Sequence, residues 1–413
     1  MRLLFVVCCV TVLACKPSEV PGDGGPSQLD PAFGADGTTR TQFGCGTSAY
    51  ALAVAELADG RLVAGGRGCD GPVVAGFLST GAIDPAFGDG GAVVLRPDAG
   101  YAEVRSVLVR ADGQLLATAG AAAVDFVRQV SPSGVVDSAF ATAADLALGT
   151  RFPRIHAVAL QPDGKLLVGA GEELVRLGAD GALDPTFGTG GVLRVTLFGP
   201  FTFLIALLVH PDGRIVLTGV EPSSDSRPFV AQLTAAGALD PGFGTKGVVM
   251  LKPTLGGVVQ PTAAALQADG KILIAGWVRA TSLARKRPAI WRFTTAGVLD
   301  APFGANGEAE APTGGGGGAF SAVTVLANAK IVAAGFFKAS SLPSEAWQVA
   351  RFTASGELDA TFAQAGSTVF NTGVAYSPGG AEALVVTAAG YVVAGRGFST
   401  NDPASFLLAR VLP

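Results

Sequence analysis

An all-β propeller of seven four-stranded blades is the fold that this 413-residue sequence predicts, and a repeated unit is the main reason. Residues 157–197 show the unit most clearly. Four short apolar runs are separated by turn residues, with Pro-Asp-Gly (162–164) after the first run and the signature Leu-Asp-Pro-Thr-Phe-Gly (183–188) before the last. Such runs are typical of the strands of a β-meander. Because repeated units share one continuous core, the repeat outweighs the two or three domains that the length alone would suggest.

The signature occurs seven times, at residues 29–34, 83–88, 136–141, 183–188, 239–244, 299–304 and 358–363. Every copy keeps the Asp and the Phe three residues later, whereas Pro and Gly are sometimes replaced. Asp can cap a single helical turn, Pro fixes φ at its first position, and Gly accepts a left-handed conformation. One residue type repeated seven times in one role predicts turn caps, not seven catalytic acids.

Two further features repeat with the signature. A hairpin turn joins the first two strands of each unit and is Asp-Gly in five of its seven copies; where Pro precedes the Asp, we expect a type I turn that ends in a left-handed Gly. Its sixth copy (327–329) lacks the Gly, so blade 6 is expected to be irregular there. The third strand carries Arg or Gln at one register, and we expect these side chains to pair with the turn carboxylates; they are Gln129, Arg176, Gln232, Arg292, Arg351 and Arg410.

The phase of the repeat predicts how the ring closes. The body begins with a signature and a strand-like segment (36–43), continues through six whole units, and ends with three strands (381–412) that lack a fourth. An N-terminal strand that completes the last blade would close a propeller and remove an open sheet edge.

This repeat resembles the delta-60 repeat family of bacterial exported proteins. The resemblance rests on LDPxFG, on the PDGK(I/L)L(V/I)AG segment, and on third strands that end in Arg-Leu or Arg-Phe, and it covers residues 29–413. The strand placement is also similar to that of NHL-type propellers. The resemblance implies the propeller fold but no function, because propellers support many unrelated activities.

The N-terminal residues indicate export and a lipid anchor. Arg2 precedes an apolar run (3–13) that is too short to span a bilayer, and residues 12–15, Val-Leu-Ala-Cys, resemble the bacterial lipobox. We therefore predict a lipoprotein signal peptide at 1–14, acylation of Cys15, a flexible tether at 15–28 and the propeller at 29–413. Lys16 is compatible with the outer membrane under the enterobacterial sorting rule. The alternative is an ordinary signal peptide with an incidental cysteine.

Two cysteines remain in the predicted body, Cys45 and Cys69. In an exported protein they suggest a disulfide between two loops of the first blade, which would add about 3 kcal/mol of stability. Two free buried thiols are the alternative.

Variable loops are the first place where function is expected, because recognition often uses loops on a rigid scaffold. Among the longest are the loops between the second and third strands of blades 5 and 6, at 278–289 and 337–346. We single out Trp277, Arg285, Lys286, Arg287 and Trp347 as candidate binding residues. Aromatic residues beside Arg favour binding hot spots. The alternative is that the Trp rings belong to the blade core and the cations to a solvated loop.

A second candidate site comes from aligning the first strands on their turns. Seven residues before the turn Asp, or its equivalent, are Leu52, Arg105, His156, Ile205, Thr262, Ser321 and Glu382. We expect them to ring the mouth of the central channel, where Arg105, His156 and Glu382 could bind or convert a small polar substrate. The alternative is that strand ends are polar because they meet solvent.

The sequence also argues against several functions. The net charge of −4 gives no basic excess for nucleic acid, and with two His residues a zinc site built from several histidines is excluded. No common nucleotide, zinc, calcium or serine-hydrolase motif is present, and we predict no cofactor. We expect a non-enzymatic binding scaffold at the cell envelope for a protein or a glycan. A propeller hydrolase or lyase is the alternative, and a purely structural envelope protein is the third.

Overall fold

A computed structural model describes residues 29–43, 49–68, 70–99, 101–120, 125–149, 154–195, 197, 203–221, 227–252, 257–281, 284–313, 316–338, 345–363, 365–370, 380–397 and 405–413. These residues form seven antiparallel sheets, six with four strands and one with three, and the predicted seven-bladed propeller is confirmed. The predicted signal peptide, the tether, Cys15, Cys45 and Cys69 lie outside the described residues.

The strands follow the chain blade by blade. The first strand is β1 (Thr38–Thr41), and blade 1 contains β2 (Tyr50–Glu56), β3 (Leu62–Gly68), β4 (Gly71–Phe77) and β5 (Ala92–Val94). A 3-10 turn (Pro97–Ala99) leads to blade 2, with β6 (Glu103–Val109), β7 (Leu115–Gly120), β8 (Asp125–Val130) and helix α1 (Ser138–Leu148). Blade 3 contains β9 (Ala157–Leu160), β10 (Leu166–Ala170), β11 (Glu173–Leu177) and β12 (Val192–Arg194).

The remaining blades repeat this order. Blade 4 contains β13 (Phe203–Val209), β14 (Ile215–Val220), β15 (Pro228–Leu233) and β16 (Val248–Met250). Blade 5 contains β17 (Val258–Leu266), β18 (Ile272–Arg279), β19 (Arg287–Phe293) and β20 (Glu308–Glu310). Blade 6 contains β21 (Gly317–Val325), β22 (Ile331–Lys338), β23 (Ala346–Phe352) and β24 (Ser367–Phe370), and blade 7 contains β25 (Ala381–Thr387), β26 (Gly390–Gly397) and β27 (Ser405–Val411).

The first strands of the blades line the centre of the ring. Strand β2 contacts β6 and β25, β21 contacts β17 and β25, and β13 contacts β9 and β17. The core lies between neighbouring sheets; Phe77 of blade 1 and Phe406 of blade 7, for example, belong to one buried cluster. Strand β1 pairs with β27, and Nε of Arg410 donates to Asp30 at 2.7 Å, so the N-terminal strand closes the ring as predicted.

Blade 2 departs from the four-stranded pattern, because a helix follows its signature. Asp137 caps α1 by accepting from the backbone N–H of Phe140, and residues 141–148 are rich in Ala and Leu, which favour a helix. Loss of the signature Gly is not sufficient to start a helix, because Ala363 holds the same place in blade 6 with φ 49° and no helix follows. Arg128 joins β8 to α1 through two hydrogen bonds to Asp145, at 2.8 and 2.9 Å. In the described part of the chain, no helix is long and apolar enough to cross a membrane.

Six of the seven signature Asp residues use their two carboxylate oxygens for two different tasks; the exception is Asp300, because Pro302 has no N–H to donate. In blade 6, one oxygen of Asp359 accepts from the N–H of Thr361 at 3.1 Å, and the other accepts from Arg351 at 2.6 Å. The same Arg or Gln pairing occurs in five other blades, and it joins Arg410 to Asp30, Gln129 to Asp137, Arg176 to Asp184, Gln232 to Asp240 and Arg292 to Asp300. In blade 1 the partner of Asp84 is Arg61 of the hairpin turn. The predicted structural role of the repeated carboxylates is confirmed.

The signature also joins one blade to the next. The N–H of Gly304 donates to the carbonyl of Ser355 in blade 6 at 2.7 Å, and the Phe303 ring lies against Gly356. A methyl group at Gly356 would come within 2.8 Å of that ring, and the residue has φ 89°. This third turn recurs as Gly81, Gly134, Gly181, Gly237, Gly297 and Gly356, all with positive φ. This turn was not predicted from the sequence, although its Gly repeats before six of the seven signatures.

The hairpin turns of blades 1 to 6 keep one geometry, even where the sequence of blade 6 departs, whereas in blade 7 Gly390 pairs with Thr387 and has φ 143°. Gly164 has φ 81° and donates to the carbonyl of Gln161 at 2.9 Å, which is the expected type I turn with a left-handed Gly. In blade 6, Ala329 takes the same place with φ 65° and donates to Leu326 at 2.9 Å. The expected irregularity of blade 6 at this turn is therefore wrong.

Hairpin turns and signatures lie on the same face of the ring. Nζ of Lys165, in the hairpin of blade 3, lies 3.1 Å from Asp184 in the signature of that blade. We call this side, with the hairpins and the signatures, the turn face. The opposite side, which carries the loops between second and third strands and the segments that precede the first strands, is the loop face.

Candidate functional site

Six of the seven aligned first-strand residues are β-bulges. The pairing of the first and second strands shifts by one residue at Leu52, Arg105, Ile205, Thr262, Ser321 and Glu382. The seventh residue, His156, directly precedes β9, and its N–H donates to the carbonyl of Gly169 at 2.8 Å. We call these seven positions the bulge ring. A bulge turns one side chain out of the normal alternation, which is why bulges often occur beside binding sites.

In blades 1, 5 and 6, a repeated Gly in the second strand makes room for the bulge, whereas blade 2 has Ala119 at the same place. A methyl group at Gly66, Gly276 or Gly335 would come within 2.0 Å of a carbonyl oxygen of the adjacent first strand. These residues are the final Gly of the repeated (V/I)AG segment, or of its variants. A Gly inside a strand indicates a bulge or a close backbone approach, so this was the sequence signal for the bulge ring.

On one side of the ring, charged and tyrosine side chains form a continuous line across blades 7, 1 and 2. Glu382 lies 3.8 Å from Nε of Arg396, and the Arg396 guanidinium lies 4.2 Å from the centre of the Tyr50 ring. The Tyr50 hydroxyl donates to Glu103 at 2.5 Å, and Nε of Arg105 lies 3.3 Å from the other oxygen of Glu103.

The line continues into blades 2 and 3 through Asp125. Arg105 donates to Asp125 at 3.3 Å, and the same carboxylate oxygen accepts from the N–H of Ile155 at 2.7 Å, next to His156. Gly120 is paired with Asp125, and a methyl group there would overlap its carboxylate. We call this line the charged arc; its members are Glu382, Arg396, Tyr50, Glu103, Arg105, Asp125 and His156. Sequence analysis identified three of them and missed Tyr50, Glu103, Asp125 and Arg396.

Burial shifts the titration of several groups in the charged arc. Burial raises the pKa of Glu382 to about 7, although Arg396 acts in the opposite direction. Burial also raises the pKa of Asp125 to about 6 against the nearby charge of Arg105. Burial and the charges of Arg154 and Arg105 lower the pKa of His156 to about 4, so its imidazole is neutral at pH 7. The arc therefore contains two carboxyl groups that titrate near neutral pH.

The remainder of the bulge ring is uncharged. Leu52 and Ile205 are buried. Oγ1 of Thr262 lies 2.6 Å from the carbonyl of Phe320 and 3.1 Å from that of Ala275, while Ser321 is half-buried. A bulge can thus be built with apolar or hydroxyl side chains, and charge is not a requirement of the backbone at this position.

The loop of blade 5 forms a second, cationic group on the loop face. Trp277 is half-buried, with the Arg279 guanidinium 5.2 Å and Nζ of Lys286 4.5 Å from its ring. Burial and the charge of Arg279 lower the pKa of Lys286. Arg285 is exposed, and Arg287 lies 3.2 Å from Glu310. Four of the five candidate residues are therefore close together.

Trp347, the fifth loop candidate, lies elsewhere. Its side chain is 1% exposed and packs in the core between blades 6 and 7 with Tyr391 and Phe362. No surface of its ring is available to a ligand, so for Trp347 the core alternative holds. Among the described residues, no group of three or more His, Cys, Asp and Glu side chains is placed to hold a metal ion.

Sequence comparison matches parts of the chain to one family model. Residues 161–187, 210–243, 267–303 and 327–362 match a model described as a domain of unknown function (DUF5122) β-propeller. The matched stretches lie in blades 3 to 6 and each contains a hairpin turn and a signature. No curated protein sequence matches this chain.

Solved structures with a similar fold have varied functions. The extracellular domain of a hybrid two-component system from B. thetaiotaomicron is 11% identical with a TM-score of 0.49, over 89% of this chain and 41% of that one. A GH74 xyloglucanase from Xanthomonas campestris is 14% identical with a TM-score of 0.49, over 89% and 55%. A protein of unknown function from Dyadobacter fermentans is 10% identical with a TM-score of 0.46, over 91% and 99%. This chain thus spans about half the length or less of the first two, and such distant similarity supports no inference about function.

Proposed function

We propose that the protein is a non-enzymatic binding scaffold and that its ligand site is the charged arc at the centre of the loop face. One observation carries the proposal: a connected line of charged groups joins blades 7, 1 and 2, and its two bulge residues, Arg105 and Glu382, hold positions where the fold needs no charge. Leu52 and Ile205 form the same bulge with apolar side chains. Burying Glu382, which is 8% exposed, costs free energy that the repeat itself does not require.

The site can be tested by ligand-dependent thermal stabilisation. The mature protein would be screened against amino acids, nucleotides, polyamines and neutral and acidic sugars, because a ligand that binds the folded state raises the Tm. We expect at least one compound to raise the Tm of the wild type and of Ser321→Ala, a variant in the uncharged part of the same ring. Arg105→Ala and Glu382→Gln should lose most of that shift. An equal shift in all four proteins, or no shift with any compound, would contradict the proposal.

The cationic group of blade 5 extends the proposed binding face. Trp277, Arg285, Lys286 and Arg287 are on the same face, and Arg beside an aromatic ring favours contact with a protein or an envelope glycan. A triple variant with Ala at positions 285, 286 and 287 should weaken retention of cell-envelope fractions on immobilised protein. The control is Arg194→Ala, whose side chain is 69% exposed in blade 3. Unchanged retention by the triple variant would remove this group from the site.

The envelope location is proposed from the N-terminal sequence. We infer a delta-60 repeat lipoprotein, acylated at Cys15 and carried by the outer membrane, and the DUF5122 match in four repeats supports the family relationship. Palmitate labelling should be lost in Cys15→Ser, while Lys16→Asp should move the labelled protein to the inner membrane. Labelling of Cys15→Ser at the wild-type level would exclude the anchor.

The proposed disulfide between Cys45 and Cys69 has a separate test. Alkylation of the denatured, unreduced protein should leave both thiols unmodified, and mass spectrometry should find the linked peptide. Alkylation of both would support the alternative of two free thiols.

A hydrolase or lyase that uses the charged arc is the second candidate. The pKa values of about 7 for Glu382 and about 6 for Asp125 favour it, because a catalytic acid or base works best when its pKa is near the working pH. Turnover of any compound that binds, lost in Glu382→Gln and in His156→Ala, would support the enzyme. Binding without turnover would support the scaffold.

A further inference from the structure

Tyr101 adds an exposed aromatic ring beside the charged arc. Its side chain is 81% exposed, and it lies two residues before Glu103, a member of the arc. The Arg67 guanidinium lies 4.4 Å from the centre of the ring. Arg67 is paired with Tyr50 across strands β2 and β3, so the contact joins Tyr101 to the same group of side chains.

An exposed tyrosine held in this way is suited to stacking against a ligand. Exposed aromatic rings are unfavourable in water, and the cation–π contact with Arg67 fixes the orientation of the ring while leaving most of its surface accessible. Nonpolar C–H faces of a ligand can then cover the ring. The feature therefore favours a ligand that is flat and partly apolar on one side.

The charges of the arc favour a ligand without net charge. Together with Arg67, the arc contains three carboxyl groups, Glu103, Asp125 and Glu382, and three guanidinium groups, Arg67, Arg105 and Arg396. Carboxyl and guanidinium groups lie together at 3.3 Å between Glu103 and Arg105, and at 3.3 Å between Arg105 and Asp125. An ionic ligand would compete with these internal pairs. Hydroxyl groups, which donate and accept, can add hydrogen bonds to both partners without separating them.

We propose, resting on the proposed function above, that the charged arc binds a neutral oligosaccharide and that one sugar ring stacks on Tyr101. A pyranose ring combines the two properties required, a C–H face for the aromatic platform and an equatorial set of hydroxyl groups for the carboxylate–guanidinium pairs. Tyr101 sets the position of the sugar, and the charged arc forms hydrogen bonds with its hydroxyl groups.

Isothermal titration with defined hexasaccharides tests the proposal. The probes are maltohexaose, cellohexaose, xylohexaose and chitohexaose, with hexagalacturonate as the anionic comparison. We expect at least one neutral probe to bind, and Tyr101→Ala to weaken its affinity about tenfold or more, equivalent to about 1.4 kcal/mol. Tyr101→Phe should retain the affinity, because stacking needs the ring and not the hydroxyl. Leu146→Ala, at a side chain 87% exposed on helix α1, is the matched surface control.

The outcomes separate this inference from the proposed function. Binding of hexagalacturonate alone, no binding of any probe, or full affinity in Tyr101→Ala would overturn the saccharide inference. If another class of compound binds and its affinity falls in Arg105→Ala and Glu382→Gln, the charged arc is a ligand site but not for sugars. If a neutral hexasaccharide binds through Tyr101 and keeps its affinity in both arc variants, the assignment of the arc is wrong.

Discussion

Asp359 on the turn face and Glu382 on the loop face are both buried carboxyl groups, yet their pKa values move in opposite directions. Burial opposes ionisation of Asp359, but hydrogen bonds from Thr361 and Lys330 and the charge of Arg351 outweigh it and lower its pKa to about 2. For Glu382 burial dominates and raises the pKa to about 7. The turn face therefore gives each repeated carboxylate enough donors to stay ionised, whereas the loop face keeps a carboxyl group in a state that is easily protonated.

The balance between burial and hydrogen-bond donors, and not the face itself, decides the direction of the pKa shift. The pKa values of Asp184, Asp240 and Asp300, all in signatures, are lowered by the hydrogen bonds and charges of their partners. Glu56 belongs to no repeated motif and lies at the end of β2 next to the turn face, and burial raises its pKa to about 7. A repeated carboxylate thus indicates a structural role, and a desolvated one outside the repeat indicates where function should be sought.

Arg351→Ala should give the largest loss of stability on the turn face. The guanidinium is fully buried and binds Asp359 at 2.6 Å, Thr361 at 2.9 Å and the Tyr391 hydroxyl at 3.1 Å. Its removal leaves a buried carboxylate without its main partner. We therefore expect the free energy of unfolding, measured by urea titration, to fall by about 3–5 kcal/mol. On the loop face, Arg287→Ala removes a half-exposed ion pair and should cost less than about 1 kcal/mol. Equal losses of stability in Arg351→Ala and Arg287→Ala would contradict the difference between the two faces.

Gly356→Ala should be the next largest effect, with Gly171→Ala as its partner on the loop face. Both glycines have positive φ, 89° and 61°, so alanine is strained at each by about 1 kcal/mol. At position 356 the new methyl group also meets the Phe303 ring at 2.7 Å, whereas nothing lies within 4 Å of it at position 171. Thermal unfolding should show a total loss of about 3 kcal/mol for Gly356→Ala. A loss no larger than that of Gly171→Ala would mean that the blade contact contributes nothing.

Glu382→Gln should stabilise the protein at neutral pH. The folded-state pKa of about 7 is above the ordinary value of 4.5, so the stability associated with protonation is present below pH 4.5 and is lost as pH rises through 7. The variant should be more stable than the wild type at pH 7.5, on the order of 2 kcal/mol, and equal to it near pH 4. Asp359→Asn provides the opposite control, because its cost should be largest above pH 4 and should shrink as pH falls towards 2. Tm measured from pH 2 to 8 checks both slopes.

His156→Gln should give the smallest effect, again visible in the pH dependence. The pKa of His156 is lowered to about 4 from 6.5, so its contribution is present above pH 6.5 and is lost as pH falls through 4. The imidazole is half-buried, and we expect the variant to lose about 1 kcal/mol less stability than the wild type between pH 7.5 and 5. Parallel pH curves for the two proteins would show that His156 is not desolvated.

The fold could be predicted from the sequence because the motifs that determine it are local and repeated. Seven signatures and the missing last strand were enough to predict the blades and the closure. Helix α1 escaped prediction because Asp137 begins a helix and a turn in the same way, and the difference lies in the Ala- and Leu-rich residues that follow. Ala329 shows the converse, since strand pairing on both sides imposes φ 65° on a residue that does not favour it.

Only part of the candidate site could be predicted from the sequence, and the reason is geometric. Arg105, His156 and Glu382 could be aligned because they hold equivalent places in the repeat. Glu103, Asp125 and Arg396 come from different strands and registers, and only the three-dimensional ring brings them together. Trp347 and Trp277 look alike in sequence, but Trp347 faces the neighbouring blade and Trp277 faces the loop. Repetition predicts structure well, whereas function depends on the contacts that break the repetition.

Closure of the ring also has a consequence for the order of folding. The bond between Asp30 and Arg410 joins residues separated by 380 positions, so it forms only after almost the whole chain is available. Loop closure over such a distance is slow, and until then strand β27 presents an unpaired edge. The first residues of the body are thus the last to find their place. During folding, β1 can therefore pair only after the last strand, β27, has formed.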